Sequence, residues 1–372
     1  MILLWIIIPI FILYSIFIIY YWRSWITIPD FSSAKKKSQT KISVIIPARN
    51  EEENIGRLLD AIHKQTYPAE LYEVIVIDDH SEDKTATIVK QFSNIRLLSL
   101  KEDSINSYKK KAIEAGIAAA SGELIVTTDA DCEPLPEWLE IIAAFKEEKQ
   151  ALFIAAPVVI NAYPSSILQV FQAIDFMIMQ GITGAAVHKK KLNMCNGANL
   201  IYEKKAFEEV NGFTGIDHIA SGDDMLLMHK IWKHYPDKVH YLKSKETIIA
   251  TQPVKTWKEF FNQRIRWASK ARQYDDKRIL PVLVLVYLLN FSFLALFIAG
   301  FWNYYYWAAL GILLGLKISV EFPFFQTLAS FFSKKWMVKW YVPLLIWHIP
   351  YIIISGLFGQ FGKYTWKGRK VS

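Results

Sequence analysis

The chain has only two cysteines, Cys132 and Cys195, in 372 residues. That is too few for a disulfide framework, which excludes a small stapled secreted scaffold and fits free thiols in a reducing compartment. Internal repeats and low-complexity linkers are absent, and a hydrophobic share of 52% excludes a disordered chain. Charge is missing in long blocks: no Asp, Glu, Lys or Arg occurs from Met1 to Trp22, from Ile279 to Leu316, or from Trp340 to Gly362. Basic residues outnumber acidic ones, 43 to 35, but no nucleic-acid signal exceeds one basic patch.

The uncharged blocks point to membrane. About 20 helical residues at roughly 1.5 Å each cross a hydrocarbon core of about 30 Å, so residues 1–22 read as one uncleaved span. Arg23 and the Lys35, Lys36, Lys37 cluster follow it, and basic residues on that flank place the following body in the cytoplasm. Ile279 to Leu316 suits two antiparallel spans turning at Gly300, Trp302 and Asn303 beside an aromatic belt, Tyr304 to Trp307. Phe322 to Ser333 is too short to cross and is expected to lie flat at the interface. Trp340 to Gly362 is long enough to cross, yet Pro343, Pro350, Gly356 and Gly359 could break it, and Lys363, Lys367, Arg369 and Lys370 follow. The domain plan is an anchor at 1–22, a cytoplasmic body at 23–278, a membrane region at 279–362 and a basic tail at 363–372.

The body reads as alternating strands and helices. Buried β-branched runs predict strands at Lys41 to Ile46, Tyr72 to Ile77, Ile95 to Leu100 and Glu123 to Thr128; helical spacing predicts helices at Ile55 to His63, Thr85 to Phe92 and Lys110 to Ala120. The predicted fold is α/β with a mostly parallel, doubly wound sheet, whose ligands bind at the carboxyl ends of its strands.

Four constellations stand there or near the membrane. Pro47-Ala48-Arg49-Asn50-Glu51 is by itself a turn into an acidic helix start. In Asp78-Asp79-His80-Ser81-Glu82-Asp83, Ser81 or Asp83 can cap the next helix, but capping does not explain two adjacent carboxylates ending a buried strand. Asp129 and Asp131 fall on one side if the strand continues, where like charges need a divalent cation; oxygen ligands suggest Mg2+ or Mn2+, although a solvated acidic turn has the same sequence. Ser221-Gly222-Asp223-Asp224 and Gln263-Arg264-Ile265-Arg266-Trp267 complete the set. A helix N-terminus accounts for the first pair of acids, and a lipid-attracted patch for the eight basic residues against three acidic between Lys255 and Arg278.

The order SVIIPARNEEENI, VIVIDDHSEDKT, KKKAIEAG, TTDADCEP, SGDDMLL and QRIRW, spread over about 230 residues, resembles membrane-bound family 2 glycosyltransferases of the GT-A nucleotide-diphosphosugar fold. Relatives in that family are ceramide glucosyltransferase-like and cellulose or hyaluronan synthase-like. The resemblance implies that Ala48, Arg49 and Glu51 line the nucleotide, Asp79 holds the uracil, and Lys109 reaches toward base or phosphates. It further implies that Asp129 and Asp131 form the D-x-D site with Asp131 on the metal, that Asp224 is the catalytic base, and that Gln263, Arg266 and Trp267 bind pyrophosphate and cradle the acceptor. Asp223 where the family usually has Glu, and Cys132 after the D-x-D, are departures. Gly197 and Asn199 are assigned to the sugar or acceptor pocket.

The implied activity is inverting transfer of a sugar from a nucleotide-diphosphate sugar, UDP-linked by that resemblance, to a lipid or lipid-linked acceptor at the cytoplasmic face of the cell membrane. One base without a carboxylate nucleophile implies in-line displacement. The alternatives are a processive polysaccharide synthase, a catalytically inactive nucleotide-binding membrane module, and a phosphotransferase using Asp129 as nucleophile.

Overall fold

A computed structural model describes residues 2–32, 38–101, 107–191, 194–217, 219, 222–269, 279–359, 364–366 and 369–371. The Lys35 cluster, Ser221, Lys270, Arg278, Lys363 and Lys367 of the sequence reading lie outside these residues. Along the chain come α1 (Ile2–Ile26), β1 (Ile42–Ala48), α2 (Ile55–His63), β2 (Tyr72–Asp78), α3 (Thr85–Val89), β3 (Ile95–Ser99), α4 (Tyr108–Ala119) and β4 (Leu124–Thr127). Then follow β5 (Cys132–Glu133), α5 (Trp138–Lys149), β6 (Phe153–Ala155), β7 (Val158–Ile160), α6 (Ile167–His188), β8 (Leu200–Glu203), α7 (Lys204–Glu209) and α8 (Met225–His234). Last are β9 (Val239–Tyr241), β10 (Ile249–Thr251), α9 (Trp257–Ser269), α10 (Ile279–Ala299), α11 (Tyr305–Phe331) and α12 (Val338–Gly359).

These elements fall into two compact units that do not follow chain order. One takes residues 28–161, 186–252 and 367–372; the other takes 1–27, 162–185 and 253–366.

The first unit is α/β. Its seven-stranded sheet has the order β3-β2-β1-β4-β8-β6-β9, parallel except that β8 runs antiparallel to both β4 and β6. The sequence pattern predicts this mostly parallel sheet because β1, β2 and β4 are continuous apolar runs buried on both faces. Pro47 does not end the first strand as expected. Register with β4 stops at Ile45↔Thr127 while that with β2 continues to Ala48↔Asp78, so one side of β1 has no ladder partner at Pro47 and the missing N–H costs little there. Since β1 lies between β2 and β4, the strand order turns there, which is where a doubly wound sheet opens a crevice. A second sheet, β5-β10-β7, follows the main sheet and fixes the residues just after β4.

The second unit is helical. Among the described residues five helices, α1, α6, α10, α11 and α12, are long and apolar enough to cross a membrane. Apolar side chains such as Trp5, Phe291, Ile312 and Ile346 are exposed on four of them, whereas α6 is mostly buried. The sequence reading differs at three places. The pattern marks no long helix at α6, because Asp175, Gln172, Gln180 and Thr183 interrupt its apolar run. Phe322 to Ser333 does not form a separate segment: α11 runs on to Phe331, and the charges that suggested an end are an i,i+4 pair, Lys317 and Glu321. Glu321 also accepts hydrogen bonds from the hydroxyls of Tyr14 on α1 and Tyr341 on α12, so the charges are matched within the unit. Finally, α12 continues unbroken through Pro343 and Pro350.

Candidate active site

The loops after β1 and β2 are laced together. The N–H groups of Asn50, Glu51 and Glu52 donate to Ser81 Oγ (3.0 Å), Thr85 Oγ1 (2.7 Å) and Asp83 Oδ2 (3.0 Å), and those of Glu82 and Lys84 donate back to Asn50 Oδ1 (2.9 Å) and Glu52 Oε2 (3.0 Å). Asn50 and His80 both take left-handed backbone, φ 51° and 54°, which makes the two loops turn tightly beside each other. Ala48 is buried at the end of β1, and its carbonyl accepts the Asp79 N–H at 2.8 Å. Arg49 Nη1 donates to the Asp79 carbonyl at 2.9 Å and stands 3.8 Å from its carboxylate, whose Oδ1 is also 3.0 Å from His80 Nδ1. Ala48, Arg49, Glu51 and Asp79 are thus one local structure at the carboxyl ends of β1 and β2. Desolvation pushes the Asp83 carboxyl up, but bonds from the Thr85 hydroxyl and N–H, from the Glu52 N–H and from its own N–H together hold it below its usual range.

A second group centres on Lys109, at the start of α4. Its Nζ lies 2.7 Å from Asp129 Oδ1 and 3.3 Å from Asp223 Oδ2. Burial works against the charged ammonium, but Asp129, Asp223 and Asp224 outweigh it and raise the Lys109 pKa. Gly197 borders this pair: a methyl group there would sit 3.1 Å from both Lys109 Nζ and Asp223 Oδ2, so any side chain would require the pair to shift by a few tenths of an ångström. Asp224 caps α8, its Oδ1 accepting the Met225 N–H at 2.7 Å, and Gly222 before it takes φ +83°, a conformation that favours glycine. Asp224 is therefore a helix-terminal acid, and Asp223 beside it is drawn to Lys109.

Strand alternation does not govern Asp129 and Asp131. Because β4 stops at Thr127, the two acids sit in a turn closed by the Cys132 N–H on the Asp129 carbonyl (3.1 Å). Asp129 turns to Lys109, while Asp131 Oδ2 accepts from Thr251 Oγ1 at 3.1 Å, held by the pairing of Cys132 with Thr251 between β5 and β10. Burial, and then Asp131 and Asp129, push the Cys132 thiol well up. Among the described residues no three His, Cys, Asp or Glu side chains group to hold a metal. Two carboxylates with one nearby cation nevertheless give an oxygen donor set and a net negative charge, which fit a hard divalent ion that completes its shell with other oxygens.

Two residues fall outside the sequence expectations. Asn199 does not face a pocket: it is fully buried, with Nδ2 donating to the carbonyls of Pro157 (2.9 Å) and Thr247 (2.8 Å) and Oδ1 accepting from Trp138 Nε1 (3.1 Å). Lys110, unnoticed in sequence beside Lys109, is 1% exposed and donates to the carbonyls of Ile216 and Ile219, both at 2.6 Å, on the loop that leads to Asp223. A sequence signal existed only as a lysine on the apolar face of a helix.

Gln263, Arg266 and Trp267 lie on α9 in the helical unit. They are half-buried, whereas Arg264 between them is 2% exposed and lies over the rings of Trp267 (4.2 Å) and Phe260 (4.9 Å).

Residues 43–210 match the family "Glycosyl transferase family 2". The chain is 30% identical over 230 residues to glycosyltransferase AglE of Haloferax volcanii, covering 60% of this chain and 71% of that one. It is 37% identical over 111 residues to the undecaprenyl-phosphate 4-deoxy-4-formamido-L-arabinose transferase of Proteus mirabilis, covering 29% of this chain and 34% of that one. Its fold resembles that of the mannosyltransferase PcManGT from Pyrobaculum calidifontis, solved with GDP-Man and Mn2+: TM-score 0.56 and 18% identity, with 95% of this chain and 98% of that one covered. The chain spans between 19% and 71% of the length of curated relatives it matches. With its mostly parallel sheet and its paired loops at the strand ends, this chain belongs to glycosyl transferase family 2 and is a glycosyltransferase.

Proposed function

We propose that the protein is an inverting glycosyltransferase that moves one sugar from a nucleotide-diphosphate sugar, UDP-linked in the first instance, to a lipid or lipid-linked acceptor at the cytoplasmic membrane face. The observation that carries this reading is the cluster of Asp129, Asp223 and Asp224 about Lys109, at the carboxyl end of β4 next to the laced loops of β1 and β2. In it, Ala48, Arg49, Glu51 and Asp79 receive the nucleoside, with Asp79 accepting from the base. Lys109 exchanges its carboxylate partners for donor phosphates. Asp131, with Asp129 behind it, would hold Mg2+ or Mn2+, which neutralises the leaving diphosphate. Asp224 takes the proton of the acceptor's attacking oxygen, a hydroxyl or the P–OH of a lipid phosphate, as that oxygen bonds to the anomeric carbon and the bond from that carbon to the diphosphate breaks, so configuration inverts. Its anchored Oδ1 orients the carboxylate for this. Gln263, Arg266 and Trp267 serve pyrophosphate and acceptor. The name of the Proteus mirabilis relative supports a lipid phosphate as acceptor.

Residues 1–22 act as anchor, 23–278 as the catalytic body, 279–362 as membrane region and 363–372 as a basic tail. Single transfer is favoured over polymerisation because a hydrated polymer path needs many enclosing helices, and one of the five apolar helices is already buried. Mass spectrometry of lipid extracts after incubation with labelled donor tests this. A lipid heavier by one sugar unit is expected; a ladder of long water-soluble chains would refute it.

A further inference from the structure

The α9 helix is gripped by α6 along one face. Just before α9, Gln172 of α6 pairs reciprocally with the backbone of Val254: Nε2 donates to its carbonyl and Oε1 accepts its N–H, both at 3.1 Å. One turn along, Asp175 Oδ2 stands 2.9 Å from Arg264 Nη2, with side chains 7% and 2% exposed. Phe171 meets Phe260 edge-on at 5.5 Å, and Phe176 tilts against Trp267 at 6.1 Å. From α12, Tyr351 donates to Asp175 Oδ2 at 3.4 Å, and His348 Nε2 lies 3.7 Å from Oδ1. One carboxylate on α6 thus ties α9 and α12 together.

A buried ion pair is a poor stabiliser, since apolar residues of similar volume serve as well or better; its attested use is to fix register. Arg264 is placed to do that. It is one residue from Gln263, two from Arg266 and, at i,i+3, covered by Trp267, so the place to which the Asp175 charge draws it bears on the rotation of all three about the α9 axis. We infer that Asp175 is the positioning residue of the Gln263-Arg266-Trp267 face, holding α9 through Arg264 in the rotation that engages the acceptor. This rests on the reading of that face as the pyrophosphate and acceptor side.

The test uses the full-length protein in lipid nanodiscs and four variants: Asp175→Asn, Asp175→Glu, Arg264→Gln, and the apolar double Asp175→Leu/Arg264→Met. Readouts are kcat/KM for acceptor and the calorimetric affinities for nucleoside monophosphate, which lacks the pyrophosphate, and nucleoside diphosphate. Asp175→Asn is expected to lower acceptor kcat/KM at least 30-fold and to weaken the diphosphate, with monophosphate affinity within twofold, and Asp175→Glu to recover most of both losses. The apolar double variant decides the matter: it should fold as well as the parent, keep monophosphate affinity, and still lose acceptor kcat/KM at least tenfold. Normal acceptor kinetics in that variant, or monophosphate affinity lost in proportion to acceptor kcat/KM in Asp175→Asn, would overturn the inference. Because the readout is the split between the nucleoside and the pyrophosphate and acceptor face, it stands for any acceptor the parent protein uses. Failure of the parent to transfer to lipid would instead count against the proposed function.

Discussion

Replacing Lys110 by methionine isolates the tether on the loop that carries Asp223 and Asp224. The buried ammonium makes two 2.6 Å bonds to the carbonyls of Ile216 and Ile219, and methionine keeps much of the stem but neither bond. Hydrogen bonds from a charged donor contribute about 1.5–3 kcal/mol each, so the loop loses roughly 3–6 kcal/mol of holding energy. Part of this is offset globally, because methionine carries no charge to desolvate. Locally the offset does not apply, and taking the low end, about 3 kcal/mol, the competent loop arrangement falls about 100-fold at 1.4 kcal/mol per factor of ten. Sugar transfer by Lys110→Met should fall by that factor. Nucleotide affinity, measured by calorimetry, should stay within threefold, because the loops of β1 and β2 are untouched. Transfer within threefold of the parent, or affinity lost in the same proportion as rate, would refute the reasoning.

Cys132 should resist iodoacetamide at pH 8.5 in the folded protein while the half-buried Cys195 reacts, as peptide mass spectrometry reads out; equal labelling would contradict the raised thiol pKa. The same shift means that the protonated thiol contributes stability below the unfolded thiol pKa, about 8.5, and that this is lost as pH rises toward the higher folded value. Asn199→Leu should destabilise the α/β unit by about 3–5 kcal/mol, because it strands two buried carbonyls and the Trp138 N–H; a denaturation midpoint equal to the parent's would sink that account. For orientation, a cysteine placed at position 303 should react with an impermeant maleimide from outside intact cells and one at position 270 should not, the reverse pattern overturning the cytoplasmic assignment.

The first half of the sheet was legible because β1, β2 and β4 are apolar runs bounded by turn residues, and burial on both faces leaves such runs little else to be. From β5 to β10 the strands are only two to four residues long, and pairing rather than local pattern decides them. Charges misled the reading of the helical unit. Lys317 and Glu321 looked like a membrane boundary but cancel each other one turn apart, and Asp175 masked α6 although Arg264 answers it. In the candidate site, residues that sit in contiguous motifs were visible as positions: Asp79, Asp129, Asp131 and Asp224 stand at or just past strand and helix ends, where sequence marks them. Lys110 and Asp175 were not, because their partners lie 106 and 89 positions away in the chain and nothing local announces the pairing.

The most direct test of the account incubates the purified, lipid-reconstituted protein with UDP-, GDP- and TDP-sugars and a polyprenyl-phosphate acceptor, and measures nucleoside diphosphate release beside Asp131→Asn and Asp224→Asn. The account predicts release from one donor class, lost with excess chelator and in Asp131→Asn, and lost in Asp224→Asn although that variant still binds the nucleotide. Full turnover in chelator, or turnover by Asp224→Asn equal to that of the parent, would contradict it.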